Sequence, residues 1–323
     1  MLAAIYDRTG PAHDVLRVEE VDTPAPGPGE VLVRVSVSGV NPTDYKSRSG
    51  GQVAFPFQVP NQDGAGVIEE VGEGVDRSRV GQRVWLWFAA WRRQWGTAAQ
   101  YTVVPERQAV ALPRGASDDL GASLGIPALT AHRCLFADGP IDGRTVLVAG
   151  GAGAVGHAAI ELARRAGARV IATTSTAEKA RLAREAGADE TVDYRAPDAA
   201  ERLRAAAPDG IDRVVELSLG RNLELDLAAA NPNLAIASYA NEAGGDVPVP
   251  VRRLMGPNVV LRFVLVYTMG DDAIRAAVEH VAAAVADGAL TTLPLHRFDL
   301  DHTADAHDAV EAGAVGKVVI DLP

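Results

Sequence analysis

Cysteine is almost missing from this 323-residue chain, where Cys134 stands alone. One thiol excludes an intrachain disulfide and a structural zinc site of the four-thiolate kind. Lysine is nearly as scarce: Lys46, Lys179 and Lys317 are the only three, and arginine supplies the other basic residues. A GC-rich coding sequence produces such a skew, and it makes the three remaining lysines positions of interest. Positive charge as a whole is in deficit, with 31 Lys and Arg against 42 Asp and Glu and a net charge of −11. That balance argues against nucleic acid or an anionic membrane as the main partner. Charges or glycines interrupt every apolar stretch before about 18 residues, so no membrane span is expected. The first residues lack a basic segment followed by an apolar core, so no signal peptide is expected and a soluble cytoplasmic protein is the expectation.

Apolar material is ample. At 47% hydrophobic the chain can bury a sizeable core, and its length suits two domains better than one. Residues 1–117 carry short alternating segments that predict strands at 31–37, 66–71, 83–88 and 100–104. Turn signals at 24–29, 50–51, 72–74 and 80–81 separate them, which predicts a compact β-barrel-like domain. All four tryptophans fall at 85, 87, 91 and 95. They either pack a barrel end or a subunit contact, or form a stacking wall for a flat substrate.

Near Ser117 the texture changes, with helical pieces at 118–125 and 127–136. They lead to the stretch that organises the chain, TVLVAGGAGAVGHAAIELARRAGARVIATTS at 145–175. It reads as a buried strand at 146–149, a glycine turn, a helix at 155–166 and a second strand at 169–173. Gly151, Gly153 and Gly156 fit G-x-G-x-x-G within a βαβ unit of about 30 residues. Glycines let a pyrophosphate approach the backbone, and a helix N-terminus offers unpaired N–H groups and the positive end of its dipole. Gly151, Gly153, Ala154, Val155 and Gly156 are therefore the candidate contacts. Further on, helices at 177–186, 199–206 and 223–230 alternate with strands at 191–194, 211–217, 234–239 and 259–266. This alternation predicts a doubly wound parallel sheet, an α/β Rossmann arrangement. A long amphipathic helix follows at 271–286, then a tail with a helix starting at Asp301 or Thr303 and a last strand at 316–320. The predicted division is 1–117, 118–268 and 269–323.

Read in order, GVNPTDYKSRSG (39–50), DGAGVIEEVGEGV (63–75), GQRVW (81–85), GTAAQY (96–101), LGIPALTAH (124–132), GGAGAVG (150–156), GADETVDYR (187–195) and GKVVI (316–320) resemble the medium-chain dehydrogenase/reductase superfamily. Within it the chain is similar to the zinc-free quinone oxidoreductases, the zeta-crystallin-like branch. The resemblance implies a GroES-like catalytic domain, a Rossmann domain, a C-terminal return to the first domain, and a homodimer. It also places Asn41, Gln62 and Ile126 where the zinc-dependent relatives carry ligands. Amide and alkyl groups do not replace thiolate and imidazole on zinc, so no catalytic metal is expected. His302 and His307, five apart and off the i, i+4 face, are expected on the surface of the last helix. Without a Lewis acid, the acceptor implied is a quinone or conjugated enone, whose own π-system spreads the incoming charge.

By the same resemblance Asn41 lies beside the nicotinamide ribose or the reacting oxygen, or serves as a turn-forming Asn before Pro42. Thr130 lies near the nicotinamide, with helix capping as its alternative, and Lys317 is assigned as a cofactor contact. Tyr45 sits one position before the family's usual tyrosine, Lys46 takes that tyrosine's place, and Gln52 roughly that of a second. Tyr45 and Lys46 are thus candidate catalytic residues, Lys46 as an oxyanion stabiliser or an ordinary surface lysine. Tyr239 stands where glycine more often ends the strand, bringing a ring near the nicotinamide side. An NAD-preferring site places Asp or Glu at the end of the second strand. Here the end reads Thr173-Thr174-Ser175-Thr176, Lys179 follows one turn later, and Tyr194-Arg195 match the family's 2′-phosphate contacts. Thr174, Ser175, Lys179 and Tyr194 together predict NADPH. The function expected is NADPH-dependent reduction of quinones or related conjugated carbonyls. The alternatives are an enoyl or alkenal C=C reductase of a biosynthetic pathway and a non-catalytic NADPH-binding redox sensor. The long β-branched run at 259–266 is expected to pair with a second copy, and a proline at Val264 is expected to break that pairing.

Overall fold

The structure is a computed structural model and describes residues 1–241 and 245–323. Its chain forms two compact units. One comprises Met1–Ile126, Val278–Gly288 and Thr292–Pro323, and the other Pro127–Ala277 and Ala289–Thr291. The boundary thus falls at Ile126, beyond the texture change at Ser117, because the short helix Asp118–Gly121 packs on the strands of the first unit.

The first unit is built on a seven-stranded sheet around the eleven-residue strand Glu30–Val40. VLVRVSV alternates, so Val31, Val33 and Val35 enter the core with Ile68, Val84, Leu86 and Val104, while Arg34 faces out. Asp63–Val71 pairs antiparallel along most of that strand, and Tyr101–Pro105 pairs with its first half. The tail closes the sheet: Lys317–Asp321 runs antiparallel to the second half, Val318 opposite Val40, and Leu295–Asp299 is parallel to the tail strand. The predicted strand at 83–88 ends at Leu86, because Phe88 takes a left-handed conformation (φ 54°) that no strand continues through. Trp85 is fully buried and Trp87 nearly so, which makes both core residues. Trp95 is half-buried and packs edge-on against Phe57, ring centres 5.5 Å apart.

The second unit holds six parallel strands in the order Glu190–Asp193, Arg169–Thr174, Thr145–Val148, Ile211–Glu216, Ala230–Ser238, Val260–Phe263. In sequence terms this is 3-2-1-4-5-6, the doubly wound order, with its reversal beside Thr145–Val148. Leu147, Ile171, Val192, Val214 and Ile236 form one side of the core, with Leu203 packed against them. Among the elements that differ from the sequence reading, two have a visible cause or consequence. The helix predicted at 223–230 is Leu219–Asp226, since Glu216 Oε1 accepts from the Ser218 N–H and from Asn222 Nδ2 (2.9 Å) and starts it early. The predicted edge strand of 259–266 is only Val260–Phe263, followed by a 3-10 turn at Val266–Thr268. No helix among the described residues is long and apolar enough to cross a membrane.

Candidate functional site

In the second unit, Thr145–Val148 delivers the chain to the glycine turn at the reversal point of the sheet. The turn hangs from the neighbouring strand: the Gly151 N–H donates to Thr173 O (3.1 Å) and the Gly150 N–H to Thr173 Oγ1 (3.2 Å). Gly153 is the N-cap of the helix Ala154–Arg165 and brings no side chain to cap it, so the first-turn N–H groups of Ala154, Val155 and Gly156 take no side-chain partner there. A side chain at Gly156 would place Cβ 2.3 Å from Gly150 O, so only glycine lets the helix pack on the turn. At exposed Gly153 the nearest atom to such a Cβ is 3.4 Å away. Open backbone and unpaired donors at a positive helix end fit a dinucleotide pyrophosphate.

Beside this turn, Thr174 and Ser175 are buried at the end of the second strand, and Thr174 pairs in register with Asp193. No carboxylate ends that strand. Thr176 caps the next helix, its Oγ1 accepting from the Lys179 N–H (3.2 Å). Lys179 is half-buried and joins no ion pair among the described residues. The Tyr194 N–H donates to Thr174 O (3.3 Å), which ties the backbone at Tyr194 to the end of the second strand, and the Tyr194 side chain is exposed. Arg195 is held by Asp193, 3.5 Å away. Thr130 is buried on the helix Gly125–Phe136, and Tyr239 is half-buried where the strand Ala230–Ser238 ends.

The first unit contains a buried charged cluster that sequence reasoning did not assemble. Asp63 opens its strand fully buried and takes Asn41 Nδ2 (2.7 Å) and the Ile126 N–H (2.8 Å) on its carboxylate. Lys317 Nζ donates to Asn41 Oδ1 (2.8 Å) and Val40 O (3.0 Å). The Asn41 N–H donates to Asp44 Oδ2 (2.7 Å), which caps the helix Pro42–Gly50. Burial, and then the charge of Asp63, push the Asp44 carboxyl up to about 8. Burial raises Asp63 to about 6 against the pull of Lys317, the Ile126 N–H and Asn41. Lys317 is lowered by burial, opposed by both aspartates.

This geometry places three of the residues singled out in the sequence and corrects one of them, His307. Asn41 is buried with both ends of its amide engaged, and as N-cap of the helix Pro42–Gly50 it takes the turn-forming role that was the alternative to a place beside the nicotinamide ribose or a reacting oxygen. Lys317, expected as a cofactor contact, has its ammonium buried in the cluster, where it donates to Asn41 Oδ1 and Val40 O. His307 is not a surface residue but fully buried, its Nε2 donating to Asn61 Oδ1 (3.0 Å), and burial drives it down to about 3. Asp44 and Asp63 were the residues missed. An Asn-x-x-Asp capping spacing and an aspartate heading an apolar strand were the available signals. Lys46 is exposed and lies over the Tyr45 ring, 5.9 Å from its centre. No group of three or more His, Cys, Asp or Glu among the described residues is placed to hold a metal ion.

Residues 27–114 match the alcohol dehydrogenase GroES-like domain and residues 154–283 the zinc-binding dehydrogenase family. A 2-haloacrylate reductase from Burkholderia sp is 34% identical over 79% of this chain and 78% of its own length. A mycobacterial quinone oxidoreductase superposes with a TM-score of 0.86 at 31% identity, covering 99% of each chain. The chain belongs to the quinone oxidoreductase branch of the medium-chain dehydrogenase/reductase superfamily. Rat quinone oxidoreductase is 28% identical over 98% of this chain and 96% of its own. A mycobacterial protein solved in complex with NADPH superposes with a TM-score of 0.85 at 30% identity, covering 99% of each chain. Within the superfamily this member is a mixed α/β protein with a GroES-like and a Rossmann-like part. Asn41, Gln62 and Ile126 stand at the positions the resemblance assigns to zinc ligands, and Asp63 binds two of those three segments together.

Proposed function

We propose that this protein is a zinc-independent, cytoplasmic NADPH-dependent reductase of quinones and related conjugated carbonyls. The observation that carries the reading is the second strand's end, where Thr174, Ser175, Lys179 and Tyr194 stand in place of a carboxylate. A 2′-phosphate needs hydroxyl and cationic donors, whereas a free ribose 2′-hydroxyl is bound by an acidic side chain. NADPH supplies the hydride when bound. The chain's own residues hold its pyrophosphate at the glycine turn and its phosphate at Lys179. Tyr45 and Lys46, on the first turns of the helix Pro42–Gly50, are the groups assigned to the acceptor, Lys46 stabilising negative charge that develops on its oxygen.

Steady-state rates with NADPH and NADH over a panel of quinones and enones test this, before and after dialysis against a chelator. Absence of NADPH oxidation with every acceptor, or loss of rate on chelation, sinks it. The 2-haloacrylate reductase relative supports a second reading, reduction of an activated C=C bond, which turnover of haloacrylates or enoyl thioesters with quinones inert would favour. The cofactor assignment has a local test. Lys179→Ala is expected to weaken NADPH by about 1.5–3 kcal/mol and leave NADH nearly unchanged. Equal weakening of both cofactors in a binding titration would make Lys179 structural.

A homodimer joined through the Val260–Phe263 edge belongs to the same reading. Val260, Phe263 and Leu265 are exposed along this edge, with Val251 and Met255 exposed nearby in sequence. Arg262, the edge strand's one charge, is drawn onto Asp138 (Nε, 2.9 Å) and does not blunt it. The Val264 N–H already donates to Ser238 O (2.8 Å), so proline there would break the chain's own sheet. Strand alternation points the Phe263 N–H the other way, so Phe263→Pro is the right disruption, with its ring nitrogen toward the open edge. Light scattering over a dilution series is expected to show a dimer for the native chain and a monomer for that variant. A native monomer at high micromolar concentration overturns the assembly.

A further inference from the structure

Three stretches far apart in sequence meet at one carboxylate. Asp63 lies 22 positions from Asn41 and 63 from Ile126, and takes a hydrogen bond from each. Lys317, 276 positions from Asn41, closes the group from the tail strand. The approach is built into the backbone. A side chain at Gly125 would set Cβ 2.1 Å from Asp63 Oδ1, and one at Gly39 would set it 1.9 Å from Ala122 O and 3.2 Å from Lys317 Cε. Glycine at both positions is what lets the Ile126 N–H reach Asp63 and the lysine stem pass. Charge buried this deeply is costly unless paired and fully hydrogen-bonded. A hydrocarbon core would stabilise this part of the unit as well, so stability alone does not account for the arrangement.

We propose that Asp63 is a positioning residue: with Lys317 as counter-charge, its carboxylate joins the Asn41 and Ile126 segments and thereby sets where the helix bearing Tyr45 and Lys46 begins. The chain of contact is short. Asp63 orients the Asn41 amide, the Asn41 N–H meets the Asp44 carboxyl, and Tyr45 and Lys46 follow directly on the same helix. Asp63 touches neither substrate nor cofactor in this scheme. It acts on reaction geometry through Asn41, and this part of the inference rests on the reductase reading above.

Two variants test it by different routes. Asp63→Asn/Lys317→Met removes both charges together and leaves no unpaired ion, while Gly125→Ala displaces the carboxylate and changes no charge. In each, amide hydrogen exchange is expected to quicken in peptides covering residues 40–50 and 123–128 and to stay unchanged over residues 145–175. With NADPH and a quinone, kcat is expected to fall on the order of 100-fold, since misplacement of reacting groups by about 1 Å has that effect. NADPH affinity in a direct titration is expected to stay within about threefold, because a lost transition-state interaction lowers kcat without weakening ground-state binding. Unchanged exchange in both segments overturns the proposal. So does faster exchange with native kcat, which would make the cluster merely structural. A native enzyme that oxidises no NADPH with any acceptor removes the reductase reading and the positioning role with it, and it is distinguishable because the failure then lies in the unaltered protein.

Discussion

Gly156→Ala is expected to weaken NADPH binding by about 100-fold, or about 2.7 kcal/mol. The added methyl would stand 2.3 Å from Gly150 O and 3.0 Å from Gly151 Cα, both backbone atoms of the turn itself. No rotamer relieves a clash between backbone and Cβ, so the helix must lift or the turn must open. Either movement takes the first-turn N–H groups away from the pyrophosphate. Gly153→Ala is the matched control for the fold. Its methyl meets nothing closer than 3.4 Å, so its melting temperature is expected to stay near native while that of Gly156→Ala falls. Calorimetric titration with NADPH, paired with thermal melts, measures both. Native affinity in Gly156→Ala would mean that the glycine turn does not hold the cofactor.

The second large effect is on stability. Lys317→Met is expected to destabilise the protein by about 3–5 kcal/mol near pH 8, because it leaves Asp63 buried without its cation. The loss is expected to shrink as the pH falls toward about 5, since Asp63 can then take up a proton and become neutral. The native protein has a related dependence. Asp44, raised from 3.8 to about 8, and Asp63, raised to about 6, keep protons that the unfolded chain releases. Their stabilising effect is complete below the unfolded value and is lost as pH rises through the folded one. Asp226, raised by burial and by Glu216, works in the same direction. His307 works oppositely: held neutral down to about 3, it resists protonation that the unfolded chain accepts below 6.5. Lys317, lowered by burial, also opposes the aspartates on the alkaline side. Between pH 6.5 and 8 the histidine effect has ended, and urea denaturation is expected to show stability declining with pH. Asp44→Asn is expected to flatten that decline. A slope unchanged in the variant would show that Asp44 ionises normally.

The glycine turn and its flanking strands and helix were legible because their parts are local. Gly151, Gly153 and Gly156 lie within one turn, the strand before and the helix after carry their own periodicities, and the hydroxyls and Lys179 follow within the next few residues. The tail's return was legible too, since Lys317–Asp321 is a short apolar strand matched to one family motif. Element ends were less so. Phe88 stops its strand by a backbone conformation, and Glu216 starts its helix through a side chain that precedes it. Neither cause shows in hydrophobic pattern.

Sequence alone, then, determined the α/β class, the doubly wound arrangement of alternating elements, the glycine turn between strand and helix and the absence of a carboxylate at the second strand's end. Each depends on residues a few positions apart, where spacing already dictates geometry. Only tertiary structure decided the fates of Asn41, Lys317 and His307. Asn41 looks like a free polar group until Asp63 and Lys317 arrive from 22 positions ahead and 276 beyond and engage both ends of its amide. His307 looks like one more charged position on a surface helix until Asn61, 246 positions away, takes its proton-bearing nitrogen in the core. Whether a polar side chain is a reactant or a strut depends on which of its hydrogen bonds are already made, and those partners are set by the packing of strands from distant parts of the chain.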